Sequence, residues 1–409
     1  MFEYVAGVRS FHGLCNEKRL SEAIDVLGEI ERQARLPADH AKLGYCYSRI
    51  GMFSEAEHSL GIAWHHATPF TPEAVQIACE LASVKYHLGK FDEGAALEKR
   101  VHDRNWYQIS SIIPESARDG FSLVFREKLI SDADSVEGKR VFVIWSGGAG
   151  DVIEHLRHIE CLAADGATTV FLDPKESLSK LIQNSALRVA IEPATLPNLA
   201  SCDALILGNV LNLRYHGSEL LKVPGTGYLR PVRQRRSSIV VSAPVGKRKV
   251  GIVWRSINGT WETCRHEPFR SMELATLEPL LVNSDIQFYS LQFGERGAEE
   301  NATLARCNVI DASPYVHSFA DLAEITLQLD LVITIDSAPA HLAGALDVPV
   351  WNLLANVCDH RWGAMDQRTT PLYPSMRLFR QPALGDWGPV ITEVAAELRH
   401  AEHREKMVS

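Results

Sequence analysis

The chain has 409 residues, 46% of them hydrophobic and 23% charged, which predicts a soluble globular protein of two or three domains. Its formal net charge of −9 excludes an extended nucleic-acid footprint, and no stretch reaches the ~18 uncharged apolar residues that span a bilayer. The eight cysteines lie far apart with no Cys-x-x-Cys spacing, which predicts reduced, mostly buried thiols rather than a zinc cluster or a disulfide framework.

Residues 1–20 carry scattered charges and no apolar run with a cleavage site, so no secretory leader and a cytoplasmic location are expected. Residues 1–103 read as helices built on an internal repeat. Leu43, Gly44, Tyr47, Gly51, Phe53, Ala56, Leu60 and Ala63 follow the tetratricopeptide spacing, which recurs more weakly downstream (Leu81, Ala82, Gly89, Phe91, Gly94) and upstream (Leu20, Ala23, Leu27). Small residues let paired helices approach while Leu and Phe fill the groove between them. So few repeats must bury an end against the next domain, which predicts a docked module. Residues 104–139 form a connecting segment with Pro114, Gly120 and an acidic run at Asp132, Asp134 and Glu137.

From residue 140 the pattern alternates between short apolar runs and amphipathic stretches, as parallel sheets flanked by helices do. One α/β domain covers 140–236 and a second covers 247–382, with a terminal helix and tail at 383–409. Between the two lies a basic, Ser-rich linker with Arg230, Arg233, Arg235, Arg236, Lys247, Arg248 and Lys249. Consecutive parallel domains bring the carboxyl ends of their strands to one crevice, where ligands bind.

The strongest local signal is Thr334 to Pro349, where a strand ends at Asp336 and a helix opens at Ser337. Asp336 and Ser337 are expected to cap that helix, with Pro339 in its first turn. Ala338, Ala340, Ala343 and Gly344 leave room for a ligand against the backbone N–H groups, where a diphosphate would rest. His341 lies one turn in, on the face of Ser337. The second signal is Trp145-Ser-Gly-Gly-Ala-Gly-Asp151, a glycine-rich turn directly after a strand. Gly148 and Gly150 permit close approach, and Asp151 at the helix start suits a general base; Glu154 and Arg157 follow on one helix face. Lesser candidates are Arg255, placed to neutralise a leaving diphosphate, then Gln292 and Glu295, placed to meet a base or ribose. Arg265, His266 and Arg270, and Asp359, Arg361 and Trp362 in the late loop, complete the set.

Asp336 to Trp351 resembles the nucleotide-sugar motif of glycosyltransferase family 9, the heptosyltransferase-like enzymes, and above all their tetratricopeptide-fused bacterial branch. Trp145 to Asp151, Val250 to Trp254 with Phe269 to Ser271, and Tyr373 to Gln381 with Asp386-Trp387 agree in order. The resemblance implies a GT-B fold: two Rossmann-like parallel-sheet domains facing a cleft, preceded by the all-α module. It implies inverting, metal-independent transfer from a nucleoside-diphosphate sugar, with no other cofactor. Asp151 would be the base in an acceptor-side first domain; Ser337 and the following helix, with Asp336 and His341, would hold the donor, and Glu295 would meet its nucleoside. Ala149, Phe293 and Leu372 depart from the family pattern. The expected partners are the donor and a protein or glycan acceptor recruited by the repeats. The alternative is an inactive transferase-like scaffold whose repeats bind a protein partner. An NAD-dependent oxidoreductase is disfavoured by the missing Gly-x-Gly-x-x-Gly.

Overall fold

The computed structural model describes residues 4–69, 71–102, 123–125, 127–145, 147–208, 210–216, 227–229, 241–256, 267–363 and 365–408. Arg230, Arg233, Arg235, Arg236, Arg265 and His266 lie outside these residues, as does most of the connecting segment.

Six helices come first: α1 (Tyr4–Asn16), α2 (Leu20–Gln33), α3 (Pro37–Arg49), α4 (Phe53–His66), α5 (Pro72–His87) and α6 (Phe91–His102). Proline opens α3 and α5, where its missing N–H breaks no bond, and Thr71 Oγ1 caps α5 by accepting the Ala74 N–H at 3.2 Å. Phe11, Leu27, Ile30, Leu43, Tyr47, Leu60 and Leu81 fill the space between successive helices. Phe269 and Ala355 of the last α/β unit belong to the same buried cluster, so the helical module is docked. This contact follows from the number of helices: a short stack leaves one apolar flank uncovered.

The first α/β unit contains β1 (Arg140–Ile144), α7 (Ala149–His155), α8 (Ile159–Ala164), β2 (Thr169–Leu172), α9 (Glu176–Gln183), β3 (Ala190–Ile191), α10 (Leu196–Ser201), β4 (Ala204–Leu207) and α11 (Val210–His216). Its sheet has the order β3-β2-β1-β4, all parallel, with Val141 opposite both Val170 and Ala204.

The second unit contains β5 (Arg248–Val253), α12 (Glu267–Arg270), α13 (Glu278–Leu281), β6 (Ile286–Ser290), α14 (Ala298–Arg306), β7 (Ile310–Asp311), α15 (Phe319–Thr326), β8 (Leu331–Ile335), α16 (Ala338–Ala345), β9 (Val350–Leu354), β10 (Thr369–Thr370), β11 (Tyr373–Arg380) and α17 (Gly388–Val408). The strand order is β10-β11-β9-β8-β5-β6-β7, parallel throughout except for β10 against β11. Strands β6, β8 and β9 are buried along their whole length, which is why their sequences are mostly apolar without a strict alternation, interrupted only by Gln287, Ser290, Thr334 and Asn352. The terminal helix α17 is a structural part of this unit: Trp387, Val390, Ile391, Val394 and Leu398 lie in one core with Val250, Phe288 and Ile333.

Each sheet reverses its strand order beside its first strand. In the first sheet β1 lies between β2 and β4; in the second, β5 lies between β6 and β8. The glycine-rich turn leaves the end of β1 and the Asp336-Ser337 turn leaves the end of β8, so both occupy the positions where such sheets bind ligands. The two units share one core, in which Ile153 and Leu156 of the first and Ala340 and Leu342 of the second are wholly buried.

Candidate functional site

The turn after β1 depends on two glycines. Gly147 has φ +101°, a conformation that side chains disfavour. Gly148 cannot cap α7 with a side chain, so Asp151 reaches back and accepts the Gly148 N–H at 2.6 Å through Oδ2. Gly150 faces α16 so closely that a β-carbon there would lie 2.9 Å from His341 Cδ2 and 3.4 Å from Ala338 Cα. Asp151 is thereby held beside the start of α16. Its other oxygen, Oδ1, pairs with Arg361 Nη1 at 2.8 Å. Burial would raise the Asp151 carboxyl, but Arg361 and the Gly148 N–H hold it below the usual carboxylate range.

The start of α16 differs from expectation in one respect. Ser337 occupies the N-cap position with extended backbone, yet its hydroxyl turns back to donate to the Ile335 carbonyl at 3.1 Å and lies 3.1 Å from Thr334 Oγ1. It does not cap the helix. Pro339 has no N–H and the Ala340 N–H bonds the Ser337 carbonyl at 2.9 Å, which leaves the Ala338 amide and the helix dipole at this end. Asp336 is buried, and burial pushes its carboxyl up against the opposing pull of Arg270 and Arg361. His341 is buried too, with Nδ1 2.9 Å from the Tyr373 hydroxyl and its ring centroid 5.0 Å from that of Trp362. Burial lowers it to about 4, so the ring is neutral near pH 7.

Two residues expected to face an acceptor are interior. Glu154, 3% exposed, pairs with Arg361 Nη1 at 2.6 Å, which against the effect of burial holds its carboxyl at about 2. Arg157 lies between the rings of Tyr228 and Tyr373, 4.9 and 4.8 Å from their centroids, and donates to the Leu372 carbonyl at 2.9 Å. A guanidinium that bridges two units and stacks on two rings serves their junction. Arg361 is the residue that sequence spacing underweighted. It joins Asp151, Glu154 and Asp359, the last at 3.0 Å through Nη2. The one available signal was the Asp-x-Arg-Trp string in the late loop, which holds Asp359; Asp151 and Glu154 lie some two hundred residues away in sequence.

At the ends of β5 and β6, Gln292 is a correction. Its Oε1 accepts the Trp254 and Arg255 N–H groups at 3.2 and 2.9 Å, and its Nε2 donates to the Arg255 and Phe293 carbonyls at 2.8 and 3.1 Å. Both amide ends are occupied, so it fixes the loop backbone and has nothing left for a base or ribose. Arg255 reaches the Glu295 carbonyl at 3.0 Å and Glu300 at 3.3 Å, while the Glu295 side chain is exposed. Val253 pairs with Thr334 across β5 and β8, so Arg255 emerges alongside the Asp336 turn.

Among the described residues no group of three or more His, Cys, Asp or Glu stands where it could hold a metal ion, the seven described cysteines are free, and no helix is long and apolar enough to cross a membrane.

The stretch that carries β8, α16, Arg361 and the start of β11 decides the resemblance. Residues 305–377 match the sequence model of glycosyltransferase family 9 (heptosyltransferase). The match supports a glycosyltransferase. An alignment of 161 residues that covers 37% of the chain is 30% identical to Protein FlbA of Caulobacter vibrioides and spans about a quarter (25%) of that protein's length. Among solved structures, the E. coli ADP-heptose lps heptosyltransferase II is similar over 64% of this chain and 99% of its own, with 15% identity and a TM-score of 0.42. A glycosyl transferase family 9 structure from Veillonella parvula DSM 2008 is similar over 61% and 88%, with 12% identity and a TM-score of 0.40.

Proposed function

We propose that the protein is an inverting glycosyltransferase that moves a sugar from a nucleoside-diphosphate sugar to a hydroxyl of a protein or glycan acceptor. The observation that carries this reading is the contact of Gly150 with Ala338 and His341, which sets the Asp151 carboxylate beside the start of α16. A base and an anion site within one crevice are what transfer from such a donor needs.

In this reading the donor diphosphate rests on the Ala338 amide and the α16 dipole, near Asp336, Ser337 and His341. Arg255 neutralises charge on the leaving group, and Glu295 is free to meet the nucleoside. Asp151 takes the proton of the acceptor hydroxyl as its oxygen bonds to the anomeric carbon. The bond from that carbon to the diphosphate oxygen breaks on the opposite face, and the nucleoside diphosphate leaves with the electron pair. Gly148 keeps the acceptor side open and Gly150 seats α7 against α16, while Glu154 and Arg157 hold the frame. The helical repeats recruit the acceptor.

A panel of nucleoside diphosphates and their sugars, read by thermal shift, tests this. A ligand at a hundred times its Kd stabilises by about 2.7 kcal/mol. At least one member of the panel raises the melting temperature. If none does, the scaffold reading takes its place.

A further inference from the structure

The turn that carries Arg361 rests on the helical module. His360–Trp362 form a single turn, opened by Asp359, whose Oδ1 accepts the Arg361 N–H at 3.0 Å. On one side of this turn the Tyr86 ring of α5 stacks on His360 with centroids 4.5 Å apart, and His87 Nε2 lies 2.8 Å from the Cys358 carbonyl oxygen. On the other side the Arg361 guanidinium meets Asp151 at 2.8 Å and Glu154 at 2.6 Å. The stretch from Cys358 to Arg361 therefore joins α5 to the Asp151 carboxylate.

A guanidinium fixes direction as well as charge, because its donors form a rigid planar fork. The two oxygens of Asp151 are held from two sides: Oδ2 by Gly148 within its own helix turn, Oδ1 by Arg361 from the second unit. Local capping alone leaves the carboxylate free to turn about its own bonds; the bond from outside removes that freedom. The other carboxylates on Arg361 fix its charged end, and the α5 contacts fix the backbone it grows from.

We propose that Arg361 is a positioning residue for Asp151, and that helix α5, through His360, sets where Arg361 stands. The helical module is then part of the machinery that orients the base, beyond any role in recruiting an acceptor. The catalytic consequence rests on the reading of Asp151 as the base, whereas the coupling itself is testable without substrate, so the two can fail separately.

The test is hydrogen–deuterium exchange on the intact chain without ligand, following the peptide 147–155, whose Gly148 amide bonds Asp151. His360→Ala is expected to speed exchange there by about tenfold while peptides from α1 and α17 stay unchanged, and Arg361→Met to speed exchange at 147–155 at least as much. Arg361→Lys, which keeps a cation in reach, should stay near the parent rate. Tyr86→Leu, on α5 and outside the turn, should act like His360→Ala. Combining His360→Ala with Arg361→Met should add nothing beyond Arg361→Met alone, since both act along one path. Parental exchange at 147–155 in both His360→Ala and Tyr86→Leu would overturn the proposal, as would simple addition in the combined variant.

Discussion

Gly150 and His341 touch across the junction of the two α/β units, with room at Gly150 for a hydrogen and no more: a β-carbon would sit 2.9 Å from His341 Cδ2. This fit places Asp151 against α16. Gly150→Ala should therefore lower stability by about 1–3 kcal/mol in urea unfolding, as overpacking does. The sign is diagnostic, because alanine is the better helix former by roughly 1 kcal/mol. Gly61 in α4, with nothing within 4 Å of its position, should show the opposite effect when changed to alanine.

Arg361 neutralises carboxylates that are costly to leave alone. Arg361→Met strands the buried Glu154 and should destabilise by about 3–5 kcal/mol. Adding Glu154→Gln should return part of that loss. Urea midpoints of the two single variants and the double variant check this, and a double variant no better than Arg361→Met would refute the assigned pairing.

Acid should weaken the fold in two stages. His341 titrates at about 4 in the folded protein against 6.5 in an exposed ring, so the unfolded chain takes up its proton first as pH falls. Its contribution is complete above pH 6.5 and is lost on the way down to about 4, at up to ~1.4 kcal/mol per pH unit. Glu154, held at about 2 against an ordinary 4.5, contributes fully above 4.5 and loses its share between 4.5 and 2. Urea midpoints should decline from pH 6.5 to 4 and, as Glu154 adds its share, continue to fall below 4.5. His341→Phe should shrink the first decline, leaving the shares of His12 and His360, which burial lowers in the same way.

Because the Ser337 hydroxyl is turned to Ile335 and Thr334, Ser337→Ala should change nucleotide affinity by less than about threefold, roughly the scale of one weak hydrogen bond. Ala338→Leu, which adds bulk beside the amide at the start of α16, should remove the nucleotide-induced thermal shift. An equal loss in both variants would place the phosphates on the hydroxyl instead.

Much of this arrangement was readable from the chain. Short apolar runs marked the strands, because strands buried on both faces are predominantly apolar, as Leu331–Ile335 is at every position but Thr334. The glycine-rich turn and the Asp336-Ser337 turn stood out because they break the chain at strand ends. What spacing could not supply was the identity of distant partners. Gln292 reads as a free polar side chain until the Trp254 and Arg255 backbone closes around it. Arg157 reads as a helix-surface cation until Tyr228 and Tyr373 enclose it. Helix α17 reads as a terminal helix without a stated partner until its apolar face meets β5, β6 and β8. In each case the deciding neighbour lies dozens to hundreds of residues away.

The most direct test of the central claim is Asp151→Asn assayed against a nucleoside-diphosphate sugar that stabilises the parent protein. The substitution removes the base and keeps the shape, and the Gly148 N–H can still find an oxygen acceptor. The account predicts an undiminished donor-induced thermal shift with transfer reduced by about 10²–10⁴-fold. Transfer at the parental rate from Asp151→Asn would contradict it.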